Sequence, residues 1–285
     1  MDLKPIAKEI NELLEKRRQE IDLKFVESKH TYFMRDENGK IRANFPSVSK
    51  LVKNFHPYFD AEKKAMEMCG GDVNKARKLL AEWKLSGEIS TNLGSRSHFL
   101  LEQDLVGRYD NYKEVRQPVF KCDEDQIRKS DQMVIAGKQY LDLMHERGAV
   151  LIDTEAILGD PELGYTGAPD KAWLMENKSK TDFGLVITDW KTNQPKNFEV
   201  QFYTGKMFPP FEQYDDIALR HYCVQVPLYG RLLIKMLQGT KYENIKMLGG
   251  VIVLLKDDAT FVEYKVPAEM TQTVLTMDLT KYTKK

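Results

Sequence analysis

Apolar residues return at helical spacing in the first stretch of the chain. Ile6, Ile10, Leu13, Leu14 and Ile21 fall near one face of residues 4–21, which predicts an amphipathic helix. The period then shortens to two in KHTYFMRDENGKIRANF, around a turn at Asp36–Gly39, and predicts a β-hairpin. Pro46-Ser47-Val48-Ser49 punctuates the chain, and Ser47 or Ser49 is suited to cap a short helix through Leu51 and Val52. Residues 60–84 read as helical and rich in Lys and Arg, with a break at Gly70-Gly71. A further helix is expected to start between Thr91 and Ser95 and to run through HFLLEQDLV. After a loop near Pro118, residues 124–147 predict a long helix that offers Ile127, Met133, Val134, Tyr140, Leu141 and Met144 for packing.

A β-rich centre follows. Residues 149–158 (AVLIDTEAIL) read as a strand, GDPELGYTG as a turn, and APDKAWLM as a second strand. ENKSKTDFG is a polar turn before a third strand, LVITDW, which completes a meander. Helix returns over 216–238, where Pro227 is expected to bend it. MLGGVIVLLK is a last buried strand with FVEYKV as its partner. Helices, a strand meander, then helix and strand describe one α/β domain with a helical N-terminal elaboration. The divisions read from this order are an elaboration over 1–90, a core over 91–270 and a tail over 271–285.

Composition narrows the setting. The 285 residues suffice for one large or two modest domains, and 42% apolar with 30% charged residues is an ordinary globular mixture. No apolar run approaches the roughly 20 residues that span a bilayer, and the N-terminus has no apolar signal-peptide stretch. An intracellular, cytoplasmic location is expected, without a membrane partner. Cys69, Cys122 and Cys223 stand far apart and offer no zinc or iron–sulfur spacing. Lys+Arg and Asp+Glu balance at 43 each, so net charge points to no polyanion; a basic groove beside an acidic metal site would also sum to zero.

The candidate chemistry lies at the end of the third strand. Over 185–191, Leu185, Ile187, Asp189 and Lys191 share one face, and Val186, Thr188 and Trp190 the other. Asp189 and Lys191 are then about 7 Å apart along the strand, which suits a metal-bound carboxylate beside a lysine aimed at a phosphate. Taken alone, D-x-K is common. Asp170 opens the neighbouring strand after Gly164-Tyr165-Thr166-Gly167-Ala168-Pro169, and a short meander brings it toward Asp189. Two carboxylates forced together repel unless a cation lies between them, and oxygen ligands suit Mg²⁺ or Mn²⁺. Upstream, His98 and Glu102 are four residues apart on one helix face, as are Gln225 and Tyr229 downstream.

The ordered set G-x-x-x-H-x-x-x-E (Gly94, His98, Glu102), E…G-x-P-D (Glu155, Gly167 to Asp170), D-W-K-T (Asp189 to Thr192) and Q-x-x-x-Y (Gln225, Tyr229) resembles the RecB-like branch of the PD-(D/E)xK nuclease superfamily. The early H-T-Y-F…P-S-V-S-K segment is similar to phage-encoded exonucleases and mitochondrial genome maintenance exonucleases of that branch. The motifs cover roughly residues 29–235. The resemblance implies a restriction-endonuclease-like core, a mixed central sheet flanked by helices, with 1–90 contacting DNA. It implies His98, Asp170 and Asp189 as metal ligands, the Trp190 backbone carbonyl completing the shell and Glu155 as an additional acid. Lys191 would orient or deprotonate the water, and Gln225 and Tyr229 would support the site or touch DNA. Glu102 would support the site by orienting His98 or capping its helix. One or two Mg²⁺ ions per site are expected, with Mn²⁺ as a substitute.

DNA with a free end is the expected partner, read through phosphates by Ser47, Ser49, Lys50, Arg96 and Arg220, with a single-strand-binding or annealing protein as a second partner. The leading expectation is an exonuclease of recombination, repair or replication. The alternatives are a non-catalytic DNA-end-binding or assembly protein on a nuclease fold, and a metal-dependent hydrolase of small phosphates. Polarity, strand preference, oligomeric state and phage or cellular origin, with its host-cytoplasm or mitochondrial-matrix location, stay open at the level of sequence.

Overall fold

The structure, a computed structural model, describes residues 1–26, 29, 31–43, 45–106, 120–193, 198 and 205–283. His30 of the H-T-Y-F segment and the loop near Pro118 lie outside these residues. The first apolar stripe becomes helix α1 (Lys4–Glu20), which buries Ala7, Ile10 and Leu14. The period-two stretch becomes an antiparallel sheet of β1 (Lys24–Val26), β2 (Thr31–Arg35) and β3 (Ile41–Ala43). Asp36 builds its turn by accepting the amides of Asn38 and Lys40. Ser47 caps α2 (Val48–Val52) by accepting the Lys50 amide at 3.3 Å.

Helix α3 (Ala61–Met68) stops before the left-handed Gly70 and Gly71. Helix α4 then runs unbroken from Val73 to Val106, which corrects the start expected at 91–95. No proline interrupts 84–95, and a lone glycine such as Gly87 costs a helix only about 1 kcal/mol. The first half of α4 is largely exposed, whereas Leu93 and Leu101 pack on α5 (Glu124–Glu146). A Cβ at Gly137 would lie 2.5 Å from Leu101, so a glycine there lets the two helices close on each other.

The strand expected over 149–158 is divided. β4 (Val150–Thr154) ends at Glu155, whose φ of 47° breaks the pleat, and the GDPELGYTG turn contains the hairpin β5 (Leu158–Asp160) and β6 (Tyr165–Gly167). Then come β7 (Lys171–Glu176), β8 (Phe183–Lys191), α6 (Ala218–Met236, with Pro227 inside), β9 (Lys246–Leu255) and β10 (Phe261–Lys265). The central sheet is mixed, in the order β10-β9-β8-β7-β4, and only β8 and β9 pair in parallel.

Each face of this sheet has its own core. Leu185 and Ile187 pack with Ile10 and Leu14 of α1, Leu51 of α2 and Val226 of α6. Val186 and Trp190 pack with Leu93, Met133 and Tyr140 of α4 and α5. Each buried leucine or isoleucine contributes roughly 1.5–3 kcal/mol. Helix α1 and residues 48–55 therefore share the first core, Ile21, Leu23 and Met34 pack in a small cluster of their own, and a boundary at 90 falls inside α4. Residues expected as a tail form the end of α7 (Ala268–Thr276) and α8 (Thr280–Thr283), and bury Val274 and Leu279 in the same core. No helix among the described residues is long and apolar enough to cross a membrane.

Candidate metal centre

β7 and β8 are antiparallel, with Ala172 opposite Ile187 and Lys171 opposite Thr188. One step further, the same register sets Asp170 opposite Asp189. Alternation puts both on the face that sends Ala172, Leu174, Leu185 and Ile187 into the first core. These carboxylates are only 6% and 3% exposed. Like charges so placed are destabilising unless something positive joins them.

The end of the strand pairing builds the site. Where β7 has run out, the Trp190 amide donates to Asp170 Oδ2 rather than to a backbone carbonyl. The N–H and C=O of one strand residue point to the same side, so the Trp190 carbonyl faces this place too. Asp170 Oδ1 lies 3.1 Å from His98 Nδ1 on α4. The backbone carbonyl of Asp170 accepts from the Glu155 amide at 3.1 Å, Thr154 Oγ1 at 3.1 Å and Lys171 Nζ at 3.0 Å. Glu155 thereby turns back toward Asp170 in a left-handed conformation that costs a non-glycine residue roughly 1–2 kcal/mol.

Two motif glycines explain why these elements meet. A Cβ at Gly94 would stand 2.8 Å from Thr192 Oγ1, so a side chain there would force the Thr192 hydroxyl or the helix to shift. A Cβ at Gly167 would stand 2.6 Å from the Tyr229 ring and 2.7 Å from Val48, so the turn before Asp170 sits against α6 and α2 only as glycine.

Ligand atoms of His98, Glu155 and Asp170 all lie within 4.8 Å of one another. Asp189 stands beside that trio rather than in it. Its Oδ2 is in ionic contact with the Lys191 ammonium, without the alignment of a hydrogen bond. The same ammonium lies 4.4 Å from the centre of the Tyr222 ring.

Burial governs the charges. It pushes Asp189 up to about 6, against the pull of Lys191. It also raises Glu102, and raises Glu155 well above the carboxylate range with the nearby Asp170 adding to the effect. Burial works against Asp170 as well, but His98, Lys191 and Lys171 together hold that carboxyl below the usual range. For Lys191, burial is outweighed by Asp189 and Asp170, and its pKa rises. For Lys171 burial prevails over the surrounding carboxylates, and its pKa falls. Three acids resist ionisation here, chiefly because burial strips their charged forms of water and the two lysines do not make up for it. One imidazole with several carboxylate oxygens fits a hard divalent cation.

The remaining sequence-predicted residues divide. Ser47, Ser49, Lys50, Glu102, Glu155 and Tyr229 line one cavity of about 570 Å³. A second cavity, of about 660 Å³, shares Phe25, Glu102 and Glu155 with it. Gln225 Nε2 donates to the Tyr229 hydroxyl at 2.8 Å. Arg96 is drawn to Asp131 of α5 at 2.7 Å, and Arg220 lies over the Tyr214 ring, so neither is brought to the trio. Sequence reasoning missed Lys171, Thr154 and Tyr222. Lys171 was signalled by a lysine among apolar strand residues, and Tyr222 by its place three residues before Gln225 on α6. No protein-family model matches this sequence, and no curated protein matches it, so the functional reading rests on the residues themselves.

Proposed function

We propose that the chain is a Mg²⁺-dependent DNA exonuclease with a restriction-endonuclease-like core, in the RecB-like branch of the PD-(D/E)xK superfamily. It would hydrolyse phosphodiester bonds from DNA ends in recombination, repair or replication. The observation that carries this reading is Asp170 across the strand register from Asp189, with His98 on the first and Lys191 on the second. The mixed sheet flanked by α4 and α6 supports the fold assignment.

His98, Asp170, Glu155 and Asp189, with the Trp190 carbonyl, are the residues that would hold one or two Mg²⁺ or Mn²⁺ ions. When bound, such an ion supplies Lewis-acid stabilisation of phosphate oxygens and an acidified water. Lys191, kept protonated by the two aspartates, places a positive charge where negative charge develops on the phosphate. That supports an orienting and electrostatic role over a general base. Ser47, Ser49 and the exposed Lys50 give the adjoining cavity hydrogen-bond donors and one cation for a DNA strand, so binding should weaken as salt rises. Gln225 holds the Tyr229 hydroxyl and keeps the cavity floor in place.

The test compares wild type with Asp189→Ala on end-labelled linear and covalently closed circular DNA, in Mg²⁺ and then in EDTA. Metal-dependent loss of linear DNA alone, abolished by the substitution, is the expected result. Cutting of circles would replace exonuclease by endonuclease. Intact DNA in both forms, with Mg²⁺ bound, would overturn the reading.

A further inference from the structure

We infer that His56, Asp216 and His221 form a second metal site, one that takes a borderline transition ion such as Zn²⁺ rather than Mg²⁺. The three residues come from different segments: the turn after α2, the approach to α6, and the first turn of α6 itself. Each offers a ligand atom within 4.8 Å of the other two, and none of them belongs to the His98 centre. His221 Nε2 lies 2.5 Å from Asp216 Oδ1, and the His56 and His221 rings are stacked with centres 3.8 Å apart.

The chemistry of these donors differs from that of the first centre. Two imidazoles and one carboxylate make a nitrogen-rich set, which prefers zinc and its neighbours over the oxygen-seeking Mg²⁺. His56 Nδ1 lies 3.0 Å from the Pro57 carbonyl. A carbonyl only accepts, so Nδ1 carries the proton and Nε2 keeps the lone pair, the orientation commonly seen in metal-binding histidines. The proton shared between His221 and Asp216 occupies the line along which an ion would join them. Stacked rings hold their lone pairs side by side, so binding requires one ring to rotate about its Cβ–Cγ bond until the two converge. Loss of the stack is therefore part of the inference.

An ion here would fasten α2 and α6, which both line the cavity that holds Ser47, Lys50 and Tyr229. One backbone hydrogen bond already joins the segment after α2 to the segment before α6: the Phe208 amide donates to the Phe55 carbonyl at 2.8 Å. His56 follows the helix capped by Ser47, and His221 precedes Gln225 by one turn on α6. The site's role is structural, and it does not depend on the nuclease reading.

The full chain, stripped with chelator and held in excess Mg²⁺, is titrated with Zn²⁺, and bound zinc is counted. Thermal unfolding is followed with and without zinc. Three proteins are compared: wild type, Asp170→Asn with Asp189→Asn, and His56→Ala with His221→Ala. The expected result is one zinc equivalent and a higher melting temperature in the first two, and neither in the third. Asp216→Asn, nearly isosteric, should weaken zinc binding by at least about tenfold with the fold intact. It decides the matter if the double histidine variant does not fold. Undiminished zinc affinity in Asp216→Asn, or no zinc in the double aspartate variant, would overturn the site.

Discussion

The two faces of β8 begin alike and end differently. On the face toward α4 and α5, the polar residue is Thr188, and its hydroxyl is fully used: Trp173 Nε1 donates to it at 3.1 Å and the Tyr140 hydroxyl lies at 3.3 Å. Trp190 then closes that face edge-on against Tyr140. On the face toward α6, Asp189 is equally buried but meets another carboxylate, and its one cationic neighbour is poorly aligned. Both groups are polar and dry. Thr188 is satisfied within the chain and stabilises it, although Trp190 Nε1 on the same face has no hydrogen-bond partner among the described residues; Asp189 is left incomplete, as the proposed cation site requires.

Substitutions on the two faces should separate these roles. Asp189→Ala is expected to lower DNA hydrolysis by at least about 10³-fold, and to lower the melting temperature of the cation-free protein as well, since it leaves the Lys191 ammonium without its nearest anion. Trp190→Ala, on the other face, should cost about 3–5 kcal/mol in denaturant unfolding. Lys191→Ala should reduce turnover by roughly 10²–10³-fold, with Mg²⁺ binding by calorimetry retained. Equal loss of Mg²⁺ affinity would show that Lys191 only positions Asp189. Thr188→Val should cost about 1–3 kcal/mol by leaving the Trp173 N–H unpaired, with Mg²⁺ affinity unchanged.

The smallest effect is a pH dependence. Asp189 must be ionised to hold a cation, and its carboxyl titrates near 6 rather than the ordinary 3.8. Mg²⁺ binding to the stripped protein should therefore be about tenfold weaker at pH 5 than at pH 7. For the cation-free fold the sign is opposite. The native state takes up this proton more readily than the unfolded chain, so the contribution is full below 3.8 and lost as pH rises through about 6. A flat Mg²⁺ affinity from pH 5 to 7 would mean that Asp189 does not take part in the cation site.

Much of this was readable in the chain. Strict alternation in LVITDWK sorts Asp189 from Trp190 without coordinates, because a strand buried on both sides leaves no other place for its side chains. Asp170 was readable through the Gly-Ala-Pro turn that precedes it. The start of α4 was hidden because Gly87 interrupts residues 84–91 and their apolar positions, Leu85 and Ile89, are exposed rather than packed in a core. The β5–β6 hairpin was hidden inside a stretch whose Gly, Pro and Asp all signal turns. Lys171 carried a signal, a lysine among apolar strand residues, but its partner was hidden: a lysine in a strand ordinarily reaches solvent, and here it donates to the carbonyl of Asp170. His56 and His221 lie far apart in sequence, and only the folded path of α2 and α6 makes them neighbours.

The backbone at Glu155 carries a further implication. Its left-handed turn and its half-buried, desolvated carboxyl are both unfavourable to folding, and glycine at this one position would relieve both at once. A chain selected only for robustness would drift to glycine there. Glutamate there carries a cost that glycine would avoid, as expected of a residue kept for the proposed cation site.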